Sequence, residues 1–155
     1  MLYLLSKSLH VVGVVVFLGN ILTGVFWKRH ADRGDLAARH QAISGLIAAD
    51  RVFTVPAVFV IIATGIANAL MARIPIFGTP WVLWGVILFG VAGGVFAARV
   101  GPLQKKLLAN VDAGLAGNWN ESAYRELSRQ WLFWGWVATG APLIVVFLMV
   151  FKPTF

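Results

Sequence analysis

"LYLLSKSLHVVGVVVFLGNILTGVFWKRH", residues 2–30, decides how the whole chain is read. The run contains no proline, and its charges stand only toward its two ends, at Lys7, Lys28 and Arg29. Positions 8–27 hold no Lys, Arg, Asp or Glu. As a helix rising 1.5 Å per residue, that interval covers roughly 30 Å, the thickness of a bilayer's hydrocarbon core. Three further intervals, 52–72, 74–98 and 130–151, are equally free of charge and equally long.

The chain therefore reads as an all-α integral membrane protein, a four-transmembrane-helix bundle with its helices extended into the cytoplasm. A single transmembrane domain over 1–155 is expected, with spans at about 3–27, 52–72, 80–100 and 131–151. Composition agrees with this class. Of 155 residues, 59% are hydrophobic and 12% charged, about half the charged share of a soluble domain. So little polar surface cannot keep a fold of this size in water. The opening run lacks the basic lead and the small-residue cleavage site of a signal peptide, and is expected to be retained. With no cysteine, disulfides, thiolate metal sites and thiol redox chemistry are excluded.

Basic residues orient the bundle. Lys28, Arg29, Arg33, Arg39 and Arg51 lie in the first long connection, and Arg99, Lys105, Lys106, Arg125 and Arg129 in the second. Only Lys7, Arg73 and Lys152 remain for the other side. Positive charge concentrates on the cytoplasmic side, so both connections are expected inside and both termini outside. Trp27, Trp131, Trp134 and Trp136 then mark the inner interface, and Trp81 and Trp84 the outer one. The net charge of +7 suits anionic headgroups. A nucleic-acid role would need a soluble basic domain, which the chain does not contain.

The connections read as helix continuations. Asp35 is placed to cap a helix with Leu36, Ile43 and Ile47 on one face, running into the second span with a bend at Pro56. Beyond a break at Gly101-Pro102 the third span continues until Gly114 and Gly117, and Asn120 caps the last helix.

On the first helix, Lys7, His10, Gly13, Phe17, Asn20, Gly24 and Trp27 follow three- and four-residue steps and share a face. That stripe is expected to face the interior. With depth counted along the helices, His10 meets Thr64 and Asn68 in an outer polar cluster. Asn20 and Thr23 meet Asp50, Arg51 and Thr54 in an inner one. Asp50 and Arg51 read as an ion pair at the cytoplasmic mouth rather than a proton relay. Gly90-x-x-x-Gly94 and Gly93-x-x-x-Ala97 suggest close helix contact in the third span. His30 and His40 belong to the connections and are expected to face water or headgroups.

Several segments in order, "MLYLLSKSLHVVGVVVFLGN", "ADRVFTVPAVFVIIATG", "GPLQKK", "YRELSRQWL" and "LMVFKP", resemble a bacterial family of small four-helix integral membrane proteins with no assigned function. More distantly, "KSLHVVGVV" and the terminal "VFKP" resemble the HemJ-type protoporphyrinogen IX oxidases. That resemblance implies a haem b or porphyrin bound at His10, with Lys7 beside it. The HemJ-type lysine of the third helix has no counterpart in "WVLWGVILFGVAGG", and Thr139-Gly140-Ala141 precede Pro142 where that family has Asn-Glu. With one histidine in a span, a bis-histidine site would need two chains on a two-fold axis, or Lys7 as the other ligand. Otherwise His10 is interior hydrogen-bonding glue.

Three functional classes follow. A redox or porphyrin-linked bundle would use His10. A non-enzymatic accessory or assembly subunit would show what this chain shows, small-residue faces and few polar groups. A transporter is disfavoured by scattered polar groups and the lack of broken helices apart from Pro56. The expected partners are the lipid bilayer and either a second copy or a larger membrane complex, in the bacterial inner membrane. Tags at residues 1 and 155 should be accessible only from outside that membrane, and a tag within 112–120 only from the cytoplasm. Cytoplasmic labelling of either terminus would reverse the orientation.

Overall fold

A computed structural model describes residues 1–153. Among these residues four helices are long and apolar enough to cross a membrane: α1 (Leu2–Ala31), α2 (Leu36–Met71), α3 (Pro80–Leu115) and α4 (Glu121–Phe151). Their boundaries follow local chemistry. Asp35 caps α2, its carboxylate accepting from the Ala38 N–H at 2.8 Å. Asn120 caps α4 in the same way, accepting from the Ala123 N–H at 3.0 Å. At the end of α3, the N–H groups of Gly117 and Asn118 fold back onto the Gly114 and Ala113 carbonyls. This closing turn needs a left-handed residue, which Gly117 supplies at φ 93°. Arg73 makes the same closure after α2 with φ 55°, at the steric cost that any residue with a Cβ carries there.

The expected bend at Pro56 and break at Gly101-Pro102 are both one wide helical turn instead. Asp50–Thr54 and Phe96–Val100 are π-helical, and the N–H groups of Val55 and Gly101 donate five residues back, to Asp50 and Phe96. Proline follows immediately each time. It has no N–H, and its ring would strike the carbonyl four residues earlier, so a turn of larger radius accommodates it without ending the helix.

These turns divide the molecule into two differently built halves. Toward the chain ends, α1 packs along Val55–Met71 and Pro80–Val95 packs along α4, while the Val55–Met71 backbone makes no close approach to α3 or α4. The α1/α2 pair is knitted by Phe17, Ala57 and Ile61, with Phe89 of α3 touching Phe17 at 5.6 Å between rings. Toward the basic connections all four helices come together around Ile43, Val100, Leu103, Leu107, Val111, Tyr124 and Trp131. Leu107 and Val111 are 1% and 0% exposed. Beyond the spans, water drives this difference. Apolar surface gains by burial only where the alternative is water, whereas lipid tails are as apolar as the side chains they meet.

Glycines report where helices touch. A Cβ at Gly13 would lie 3.2 Å from Ile61 Cγ1 and 3.3 Å from Val60 Cγ1, so the absence of a side chain sets the α1–α2 approach. Gly90, Gly93 and Gly94 meet nothing within 4 Å. The expected close contact through Gly90-x-x-x-Gly94 and Gly93-x-x-x-Ala97 is therefore not made within the chain, because that face of α3 turns away from its neighbours. Gly13→Leu should lower the thermal stability of the detergent-purified protein by about 1–3 kcal/mol through overpacking. Gly90→Leu should leave the melting profile unchanged.

Candidate functional site

Polar groups gather at three levels along α1. The antiparallel register with α2 sets the first two, pairing His10 with Thr64, Gly13 with Ile61 and Asn20 with Thr54.

At the outer level the His10 ring lies against α2, where the absence of a side chain at Gly65 leaves room: a Cβ there would stand 3.3 Å from His10 Cε1. His10 Nδ1 is 3.1 Å from the Ile61 carbonyl and 3.0 Å from Thr64 Oγ1. Thr64 Oγ1 lies 2.5 Å from the Val60 carbonyl, to which it donates its only proton. Nδ1 faces two acceptors and so carries the hydrogen. Nε2 is then the bare nitrogen, and it has no hydrogen-bond partner among the described residues. Asn68 Oδ1 and Ser6 Oγ are buried without hydrogen-bond partners among the described residues, so Asn68 does not bond His10. Lys7 is exposed, not part of the buried stripe. It stands only about 60° around the helix from His10, one turn nearer the chain's start, and its ammonium avoids the interior by pointing outward.

The inner level is organised around Asp50. Asn20 Nδ2 donates to Asp50 Oδ1 at 3.2 Å and to Thr54 Oγ1 at 2.8 Å. Thr54 Oγ1 donates to the same carboxylate oxygen at 2.9 Å, and Gln104 Nε2 donates to Oδ2 at 2.9 Å. Three helices thus donate to one buried carboxylate. Arg51 takes no part: it is exposed, and the expected Asp50–Arg51 ion pair is not made. Adjacent residues on a helix point about 100° apart, so Asp50 cannot face the core while Arg51 stays beside it. Thr23 also turns away, bonding the Gly19 carbonyl of its own helix at 2.6 Å. A cavity of about 50 Å³ adjoins Asp50, with Gln104, Trp131 and Thr139 in its wall. Trp131 is in the core rather than at the interface, and its buried indole N–H has no partner among the described residues.

The third level has no counterpart in the expectations. Lys28, one residue from the Trp27 that the helical wheel chose, is 2% exposed while Trp27 is 60% exposed. Its ammonium bonds Asp32 at 2.9 Å and Ser128, and lies 5.3 Å from the Tyr124 ring centroid and 5.5 Å from that of Trp131. The Tyr124 hydroxyl donates to Asp32 at 2.5 Å. Beside them Arg39 stacks on Trp119 and Tyr124 and pairs with Glu121 at 3.2 Å. A desolvated lysine is tolerable only with a carboxylate and aromatic faces around it. Its signal in the sequence was Lys28-x-x-x-Asp32, the spacing of an ion pair on one helix face. His30 is exposed, as expected, whereas His40 is half-buried and pairs with Asp112 at 3.2 Å.

No group of three or more His, Cys, Asp or Glu among the described residues is arranged to hold a metal ion. The histidine with an available lone pair in the apolar half is His10.

Four apolar helices of membrane-spanning length, joined by polar nodes inside and apolar outside, define an integral membrane protein. The chain belongs to the family described as "Predicted integral membrane protein (DUF2269)", whose model matches residues 4–153. Comparison with curated proteins and with solved structures returns no match.

Asp50→Asn should lower the stability of the purified protein by about 1–3 kcal/mol, since an amide puts a donor opposite Gln104 or Asn20. Arg51→Gln should not change it. Equal melting temperatures for wild type and Asp50→Asn would show that the three donors do not depend on the carboxylate.

Proposed function

We propose that this chain is a bacterial inner-membrane protein that binds haem b or a porphyrin through His10, with its termini on the outer side. One observation carries the reading: the Ile61 carbonyl and the Thr64 hydroxyl hold Nδ1–H, and Nε2 is left bare. A carbonyl on the far nitrogen fixes the tautomer and orientation of a ligating imidazole and raises its basicity. The His10 Nε2 would hold the group, and a further ligand would come from the same histidine of another copy on a two-fold axis, or from the exposed Lys7. A bound haem would supply one-electron chemistry at its iron. The chain's own part is to hold the imidazole rigid, in an apolar setting that lowers the local dielectric.

Spectra of protein purified in mild detergent from haem-replete cells test this directly. The protein should be coloured, with a Soret band that shifts on dithionite reduction. His10→Ala should abolish the band while leaving a monodisperse bundle, and Lys7→Ala should perturb it only if Lys7 reaches the iron or a propionate. Protein that is colourless and takes up no added haemin would overturn the reading.

A second reading is that of a non-enzymatic accessory subunit. It is favoured by the open half of the bundle, where the second hairpin makes no close backbone approach to Val55–Met71. Recovery of a larger membrane complex at fixed stoichiometry, from protein that binds no haem, would select this reading.

A further inference from the structure

Two grooves at the basic end are lined by arginines, and they differ in one decisive respect. The larger, about 420 Å³, contains Arg39, Arg125 and Arg129, yet each has a carboxylate: Glu121 takes the first two and Glu126 the third. That groove is neutralised by its own acids. The smaller, about 340 Å³, lies between α1 and α4 and contains Arg29, His30 and Arg33. None of the three has an ion-pair partner among the described residues. The nearby Asp32 is turned to Lys28 and Tyr124 instead.

The second groove is also graded along its length. Its deep end is aliphatic, Leu22 and Val25, and its middle is aromatic, Phe26 and Trp136. Its cations follow at Arg29 and beyond. From Leu22 to Arg29 the helix rises roughly 10 Å, about the step from the upper acyl chain of a phospholipid to its phosphate. Both aromatic rings are more than half exposed, Phe26 at 62% and Trp136 at 54%, as befits side chains at a membrane–water boundary.

We propose that this groove binds an anionic phospholipid, its acyl chain along Leu22 and Val25 and its phosphate between Arg29 and Arg33. Unpaired guanidiniums recognise phosphate oxygens through paired N–H donors. The apolar floor gives a whole lipid an advantage over a free phosphate. The arrangement depends neither on which side of the membrane the basic end occupies nor on any ligand at His10.

The test is native mass spectrometry of the full chain released from nanodiscs containing equal phosphatidylglycerol and phosphatidylcholine. Wild type should retain phosphatidylglycerol preferentially. Each cation near an anionic headgroup is worth roughly a five-fold change in partition, so R29Q/R33Q should reduce that retention by about ten-fold or more. Retention of phosphatidylcholine should not change. R125Q/R129Q, in the self-neutralised groove, should behave as wild type, which separates a site from general charge. Glycerol phosphate at millimolar concentration should not displace the lipid. Equal retention of the two lipids, an unaltered R29Q/R33Q variant, or efficient displacement by glycerol phosphate would each overturn the proposal.

Discussion

The Asp50 carboxylate is the constraint on which the rest of the structure depends. It accepts from Asn20 of α1, Thr54 of α2 and Gln104 of α3, at the level where two separate helix pairs merge into one four-helix core. A carboxylate without a cation in such surroundings is stable only while its donors are held in place. The donors are in turn held because the carboxylate needs them. The hydrogen bonds therefore fix the relative height of three helices, which apolar packing alone leaves free to slide by a turn.

From that node the two halves follow different rules. Toward the basic end, water makes burial favourable, and Leu107, Val111, Ile43 and Tyr124 form a dense core like that of a soluble bundle. Lys28 is admitted there because Asp32, Ser128 and two aromatic rings replace its hydration. Toward the chain ends no such drive exists. The helix pairs hold by close approach at Gly13 and by the His10–Thr64 and Asn20–Thr54 contacts. His10 satisfies one nitrogen inside its pair and offers the other beyond it, which sets it apart from the inner-level groups.

Much of this was legible in the sequence. The charge-free intervals fixed the number of helices, Asp35 and Asn120 their starts, and Gly117 an end. The three- and four-residue steps of His10, Gly13, Phe17 and Asn20 place them on one face, and the structure has His10 against Thr64 and Asn20 against Asp50. The failures share a physical origin. A helical wheel cannot separate Trp27 from Lys28 at the edge of a stripe, because a lysine's burial depends on Ser128 and Tyr124, a hundred residues away. Arg51 was drawn in by proximity along the chain, although neighbours on a helix diverge. Gln104 was hidden in a basic, amphipathic segment, and its role appears only once α3 lies beside α2. Gly90 and Gly94 state that a close approach is sterically open, but not which helix makes it.

The two π turns have a consequence for how this architecture tolerates change in length. A π turn is an α-helix with one residue inserted, and the wide turn absorbs that residue, keeping in phase two segments that an unbroken α-helix of the same length would rotate apart by about 100°. The core face at Ile43 and the membrane face at Ala57 and Ile61 are aligned because the turn takes up the extra residue. Removing a single residue between Asp50 and Thr54 would restore an unbroken α-helical repeat with the two faces still aligned. Removing one from a plain α-helical stretch on either side would instead rotate one half against the other by more than a quarter turn, taking Ile43 out of the core or Ala57 off α1. Asp50–Thr54 and Phe96–Val100 thus act as phase couplers between a helix pair suited to lipid and a bundle suited to water. In these two helices, a one-residue change in length is absorbed at the π turns and disruptive elsewhere.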